Sequence, residues 1–127
     1  MPAVTLLSCQ APEGFEIAAY QGPGGSVVAQ DFLAQLNTND AREFAKLMAL
    51  LNRVTHKGPP HNEEKCRLLE DGIFEFKTTK ARLLWFYDDR RRKVIICTNG
   101  YIKKSQKVDQ RVLAAAKAAK QAYQQEK

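Results

Sequence analysis

The chain has 127 residues, 44% of them hydrophobic and 27% charged, with a formal net charge of +6; that balance fits one folded globular domain and excludes a disordered chain. No apolar run approaches the roughly 20 residues that a bilayer crossing needs. The opening MPAVTLLSC has no positive charge ahead of its apolar residues, so no secretory leader is expected and the cytoplasm is the expected compartment.

Cys9, Cys66 and Cys97 have no CxxC spacing, which argues against a disulfide framework or a zinc site and for free thiols. The charge is unevenly spread. Residues 1–56 carry three Lys/Arg against five Asp/Glu, whereas residues 57–127 carry seventeen against nine. A polyanionic partner for the second half, most economically nucleic acid, is one reading, and a solubilising basic surface is the other.

In chain order, Phe15–Tyr20 (FEIAAY) reads as a short strand and Gly22–Gly25 as a break. Ser26 is placed to cap a helix over about Val27 to Leu36, with Val28, Phe32, Leu33 and Leu36 on its apolar side. After Asn37–Asn39, Asp40 and Glu43 make an acidic capping box. Phe44, Leu47, Met48 and Leu51 then recur at helical spacing, so a second amphipathic helix runs to about Arg53. The short connection implies an antiparallel helix pair. Thr55–Lys65 is a loop, kept irregular by Gly58-Pro59-Pro60.

Leu68–Lys104 organises the rest. Ile73–Lys77, Arg82–Tyr87 and Val94–Ile102 are β-branched or aromatic runs between polar breaks, which predicts three consecutive antiparallel strands. With Thr78–Ala81 as a turn, Lys77 faces Arg82 and Glu75 faces Leu84; alternation gathers Phe74, Phe76, Leu83, Trp85 and Tyr87 on a core face. A second turn at Arg90–Arg91 sets Tyr87 against Val94, Leu84 against Cys97, Arg82 against Asn99 and Lys80 against Tyr101. In that register one end of the opposite face collects Lys77, Arg82, Asn99 and Tyr101, with Lys80 at its rim and Lys103 just beyond. The result is a cationic patch containing an aromatic hydroxyl.

Asp109 can cap a last, alanine-rich helix from Gln110 to about Gln125. Its apolar stripe of Val112, Leu113, Ala116 and Tyr123 is thin, which predicts a tail that is mobile or completed by a partner. The order β-α-α-β-β-β-α indicates an α+β fold: a small antiparallel meander sheet packed on an N-terminal helix pair, with a C-terminal helix. Residues 1–127 read as a single domain, a core at 14–104 followed by a helical tail at 105–127.

The run Leu69-x-Asp71-Gly72-Ile73-Phe74-Glu75-Phe76-Lys77, then Arg82, then a strand ending Asn99-Gly100-Tyr101-Ile102-Lys103-Lys104, resembles the RelE/ParE toxin superfamily. Within it the phage-derived HigB-like branch is the most similar, and the order of elements agrees from Phe15 onward. The resemblance implies a RelE-like fold and the toxin of a type II toxin–antitoxin system. Such a toxin is a ribosome-dependent mRNA endonuclease that uses no metal or cofactor, a ribose 2′-hydroxyl attacking the adjacent phosphate. The resemblance also implies a cognate antitoxin of helix-turn-helix type, through which alone operator DNA is contacted. Two alternatives share the fold: a ParE-like DNA gyrase inhibitor, and a non-catalytic interaction or regulatory relative.

Metal-free cleavage needs a base for the 2′-hydroxyl, positive charge for the phosphorane and an acid for the leaving 5′-oxygen. Arg82 falls on a family arginine, and its planar fork suits a phosphate; the competing reading is an ion pair with Glu75. Lys77 stands where the family has an arginine, either as a phosphate contact or, with its pKa lowered by nearby cations, as the base. Tyr101 matches the family's aromatic after glycine, to stack under a base, transfer a proton, or pack with its hydroxyl wet. Lys103 and Lys104 match the family's lysine pair, and at least one should face the polyanion.

Asn99, replacing a histidine common in the branch, is an expected RNA contact, and Lys80, on a turn, is either a phosphate contact or only solvated. His61 reads as a surface histidine beside prolines, or would supply an imidazole if its loop folds over the patch. Arg90, Arg91, Arg92 and Lys93 form a hairpin-tip charge run, either solvated or set against ribosomal RNA phosphates. Cys97, among apolar strand neighbours, reads as core rather than nucleophile.

Overall fold

The computed structural model describes residues 2–105 and 107–126. Its elements are β1 (Ala3–Ser8), β2 (Glu16–Tyr20), a short 3-10 turn (Pro23–Gly25), α1 (Val28–Asn39), α2 (Ala41–Lys57), β3 (Cys66–Leu68), β4 (Phe74–Lys77), β5 (Ala81–Tyr87), β6 (Val94–Ile102) and α3 (Gln110–Gln125). The strands form one sheet in the order β1-β2-β6-β5-β4-β3. The α+β class and the order of the expected elements hold. The sheet is mixed, however, because β2 pairs parallel with β6 while the other pairs are antiparallel. Ile17, Ala18 and Ala19 of β2 are all buried, as a strand with neighbours on both edges and layers on both faces requires.

The edge strands β1 and β3 have no counterpart in the sequence reading. Cys66–Leu68 is too short to show an alternation, and Ala3–Ser8 mixes apolar and polar residues without a strict period of two.

Helices α1 and α2, joined through Asp40, cover one face. Leu33, Leu36, Leu47, Leu51 and Val54 pack there on Ile17, Phe76, Leu83, Trp85, Ile95 and Cys97. Trp85 is stacked between Phe74 and Phe76, with ring centroids 4.5 and 4.8 Å away. Tyr87 closes this face at its outer end, edge-on to Phe74 and Trp85. Cys97 is fully buried, and burial pushes its thiol up to about 12, so it is a core residue. Ser26 does not cap α1: Val27 holds that position without a side-chain bond, and the Ser26 carbonyl accepts from Gly22 N–H instead. Asp40 does cap α2, accepting from Glu43 N–H at 3.2 Å, and the helix continues past Arg53 to Lys57, where Gly58 at φ 80° ends it.

The opposite face carries α3, with Leu113, Ala116 and Tyr123 on Ala18, Ile73, Leu84, Phe86, Val94 and Ile96. The tail is therefore docked, which corrects the expectation of a mobile or partner-completed helix. Its thin stripe is supplemented by polar anchors that the helical period does not reveal. Lys117 bonds Glu70 and lies 3.2 Å from Asp71, Lys120 donates to the Asp71 carbonyl, and the Tyr123 hydroxyl donates to Asp88 at 2.6 Å.

The β4–β5 register is the expected one, with Lys77 opposite Arg82 and Glu75 opposite Leu84. The β5–β6 register differs. Tyr87 pairs with Ile95 and Trp85 with Cys97; after an irregularity Leu84 pairs with Asn99 and Arg82 with Tyr101. The tip absorbs an extra residue through Lys93 at φ 59°, and the bulge at Thr98 absorbs another. Arg82 thus stands beside Tyr101, and Asn99 moves inward.

Gly100, next to Tyr101, admits α1 close to the sheet. A Cβ there would lie 2.4 and 2.6 Å from ring carbons of Phe32 and 2.8 Å from the Arg82 carbonyl. Gly100→Ala should therefore lower stability by about 1–3 kcal/mol through overpacking, read as a fall in Tm. An unchanged Tm would mean that Phe32 re-packs freely. No helix among the described residues is long and apolar enough to cross a membrane.

A candidate phosphate-binding recess

The pleat decides which side chains meet. Arg67 is opposite Glu75, Lys77 opposite Arg82, and Arg82 opposite Tyr101, so these groups share the α3 face of the sheet at the end away from the β5–β6 tip. Arg67, Lys77, Arg82, Tyr101 and Lys103 line a recess of about 50 Å³, closed by the chain that follows β6. Of the patch expected from alternation, Lys77, Arg82, Tyr101 and Lys103 come together, with Arg67 added and Asn99 and Lys80 absent.

Arg82 is only 6% exposed. Its Nη1 donates to the carbonyls of Thr78 at 2.8 Å and Ala81 at 2.9 Å. Those bonds take both Nη1 protons, and the Nε–Nη2 side is the edge that grips two oxygens of an anion. The alternative ion pair with Glu75 does not form. Arg67 takes that carboxylate, with Nη2 at 2.8 Å and Nε at 3.0 Å from Oε2.

The turn that holds Arg82 is itself held by Glu43 of α2. Glu43 Oε1 accepts from the Thr78 hydroxyl at 2.6 Å and from Lys80 N–H at 2.7 Å, while Oε2 accepts from Lys46 at 3.1 Å. Burial would raise this carboxyl, but the bonds from Thr78, Lys80 and Lys46 outweigh it and lower the pKa to about 2. Glu43 was expected to close a capping box; its side chain instead ties α2 to the β4–β5 turn. The acidic N3 position gave no hint of that distant partner.

Lys77 donates to the Glu63 carbonyl at 3.0 Å. Its pKa lies below the ordinary lysine value, first through burial and then through the charges of Arg67, Arg82 and Lys103, against the opposing pull of Glu75. Tyr101 is half-buried, and its phenol is raised above the ordinary value by burial and by Glu75; a backbone N–H from Asp109 and the charges of Arg82 and Arg67 oppose this. Tyr101 thus stays protonated at neutral pH and can donate.

The remaining predicted residues lie elsewhere. Asn99 is buried, its amide donating to the Val112 carbonyl at 3.0 Å and accepting from the Thr98 hydroxyl at 2.7 Å. It tethers α3 and is not a surface contact, a correction that follows from the bulge. Lys80 turns toward Asp40, 3.7 Å away. Lys104 is exposed and borders a separate hollow beside Tyr101 and Asp109.

The charge run sits at the far end of β5, roughly 20 Å away at ~3.3 Å per residue. There Arg90 donates to the Gln124 carbonyl, Arg91 pairs with Asp88 and Glu16, and Lys93 pairs with Glu13 at 2.7 Å. Arg92 is exposed. Most of this run is thus engaged within the protein. His61 is exposed and does not line the recess. Arg67, which sequence reasoning missed, sits on a three-residue strand; its one signal is a lone arginine between two apolar residues.

A family model described as Phage derived protein Gp49-like (DUF891) matches residues 31–121, from within α1 to within α3. No curated protein gives a significant match. Among solved structures, the toxin–antitoxin complex RelBE2 from Mycobacterium tuberculosis is similar at a TM-score of 0.49 and 14% identity, over 71% of this chain and 99% of that one.

Proposed function

The chain belongs to the Phage derived protein Gp49-like family, and from that premise we propose that it is the toxin of a toxin–antitoxin pair, an endoribonuclease that cuts mRNA in the ribosome without a metal. Membership of a phage-derived family agrees with the resemblance drawn from the Leu69–Lys104 motifs, and the HigB-like branch is part of this proposal. The observation that carries the reading is the convergence of Arg67, Lys77, Arg82 and Lys103 with Tyr101 on one recess of about 50 Å³. Four cationic side chains around so small a recess suit an anionic group such as a phosphate.

In this reading the 2′-hydroxyl attacks its adjacent phosphate, a new P–O2′ bond forms and the P–O5′ bond breaks. Lys77, with its lowered pKa, takes the 2′-hydroxyl proton. Arg82 holds two phosphorane oxygens through Nε and Nη2, and Tyr101 gives a proton to the departing 5′-oxygen. The products are a 2′,3′-cyclic phosphate and a 5′-hydroxyl. A cognate antitoxin of helix-turn-helix type neutralises the protein by covering the recess, and contacts operator DNA on behalf of the pair.

Induced expression followed by primer extension on cellular mRNA tests this reading, with codon-periodic cuts as the expected result. Supercoiling defects without such cuts would overturn it in favour of a gyrase inhibitor, and absence of any growth effect in favour of a non-catalytic relative. Lys77→Arg, which retains charge but cannot deprotonate, should also abolish the rise of the single-turnover rate with pH up to the lowered lysine pKa. An unaltered pH profile would leave Lys77 as a phosphate contact only.

A further inference from the structure

We propose that Arg67 is a further phosphate-contacting residue of the recess and that Glu75 is the residue that positions it, a reading that rests on the RNA-binding role proposed above. The pair is built in an unusual way for a strand edge. Glu75 is fully buried, yet only Oε2 is engaged, by Nη2 and Nε of Arg67 at 2.8 and 3.0 Å. Its Oε1 is buried with no hydrogen-bond partner among the described residues. A buried carboxylate so incompletely satisfied stabilises a fold poorly, and apolar residues of like volume usually serve at least as well. The neighbouring cross-strand pair, Cys66 with Phe76, is apolar. Joining β3 to β4 therefore does not call for this ion pair.

Orientation of the guanidinium does. Glu75 clamps the Nε–Nη2 side of Arg67, while the side chain remains 36% exposed at the recess. A guanidinium carries five N–H donors in a rigid fork, so fixing one side leaves the other aimed outward with little left to order on binding. Arg82 is fixed the opposite way, by Nη1 on the carbonyls of Thr78 and Ala81. The two arginines thus present complementary edges to one anion: side-on from Arg82 and end-on from Arg67. The ligand this suits is the phosphodiester of single-stranded RNA, whose oxygens accept from both.

Binding of the full chain to a short, uncleavable 2′-O-methyl single-stranded RNA, followed over a salt series, tests the assignment. Arg67→Gln should weaken binding about tenfold or more, as for a lost charge-assisted bond. It should also flatten the slope of log K against log salt by about 0.7, the value of one phosphate contact on a single strand. Arg67→Lys should keep the slope and lose affinity. Glu75→Gln should do the same, because the charge stays while its orientation is lost.

The double variant Arg67→Met/Glu75→Leu guards against misfolding. It should unfold no more easily than the parent and still show the flattened slope. A slope unchanged in Arg67→Gln and in the double variant, but flattened in Arg82→Gln, would overturn the role of Arg67 and leave the proposed function standing. Slopes unchanged in all three would overturn both.

Discussion

Under the proposed activity, Arg82→Lys is expected to cut single-turnover cleavage of ribosome-bound mRNA by about 10²–10³-fold, the usual cost of losing one oriented donor to a developing anion, and to relieve growth inhibition on induction. The substitution keeps the charge, so long-range attraction of RNA survives. It removes the division of labour within one guanidinium, in which Nη1 holds the Thr78 and Ala81 carbonyls and leaves Nε and Nη2 for an anion. An ammonium group can satisfy the carbonyls or the phosphate, not both. Arg82→Ala is a less clean probe, because truncating a side chain only 6% exposed leaves a void and takes the donor from the Thr78 carbonyl. A fully toxic Arg82→Lys protein would remove Arg82 from the chemistry.

The largest effect on stability is expected at Glu43. Glu43→Ala leaves the part-buried Thr78 hydroxyl and Lys80 N–H, and the exposed Lys46, without their shared acceptor, at about 1–3 kcal/mol for each of the two part-buried donors. The same carboxylate makes the fold acid-sensitive. Its folded pKa of about 2 lies below the ordinary glutamate value of 4.5, so its contribution is complete above 4.5 and is lost as pH falls toward 2. At ~1.4 kcal/mol per pKa unit that contribution is about 3 kcal/mol.

Asp88 acts in the same direction. Burial would raise it, but hydrogen bonds from Tyr123, from Arg90 and Arg91 N–H and from the Arg91 side chain hold it below the usual range. Urea unfolding of the parent should weaken steadily on acidification, and Glu43→Gln should remove most of the dependence while keeping the side-chain shape. An identical acid dependence in Glu43→Gln would assign it to Asp88 and other groups. Because Glu43 also sets the carbonyl to which Arg82 donates, the variant should lose activity beyond what its residual folded fraction explains.

How much of this was legible follows local chemistry. The β4–β5 hairpin could be read, because alternation and a four-residue turn fix a register between them, and so Lys77 and Arg82 were brought together correctly. Helix α3 was legible in its bounds, through Asp109 and the alanine run, but not in its docking, which depends on Lys117, Lys120 and Tyr123 meeting loops far away in sequence. The β5–β6 register was not legible, since a non-glycine residue takes the positive φ at Lys93 and nothing in Thr98 announces a bulge. That two-residue difference moved Asn99 from the expected surface to the inside and brought Tyr101 to Arg82. Arg67 escaped notice because three residues cannot display a period, and Glu43 because a helix start explained it already.

The parallel pairing of β2 with β6 has a consequence for synthesis. Residues 16–19 pair early with β1, but find their inner neighbour at residues 94–97, so the centre of the sheet is completed by the last of the described strands to be made, and such distant closure is slow and late. Tyr101 and Lys103 come from that same strand or just beyond it. A nascent copy that has not yet reached them has neither a finished sheet nor a formed cation cluster, and under the proposed activity it leaves the machine that is making it unharmed.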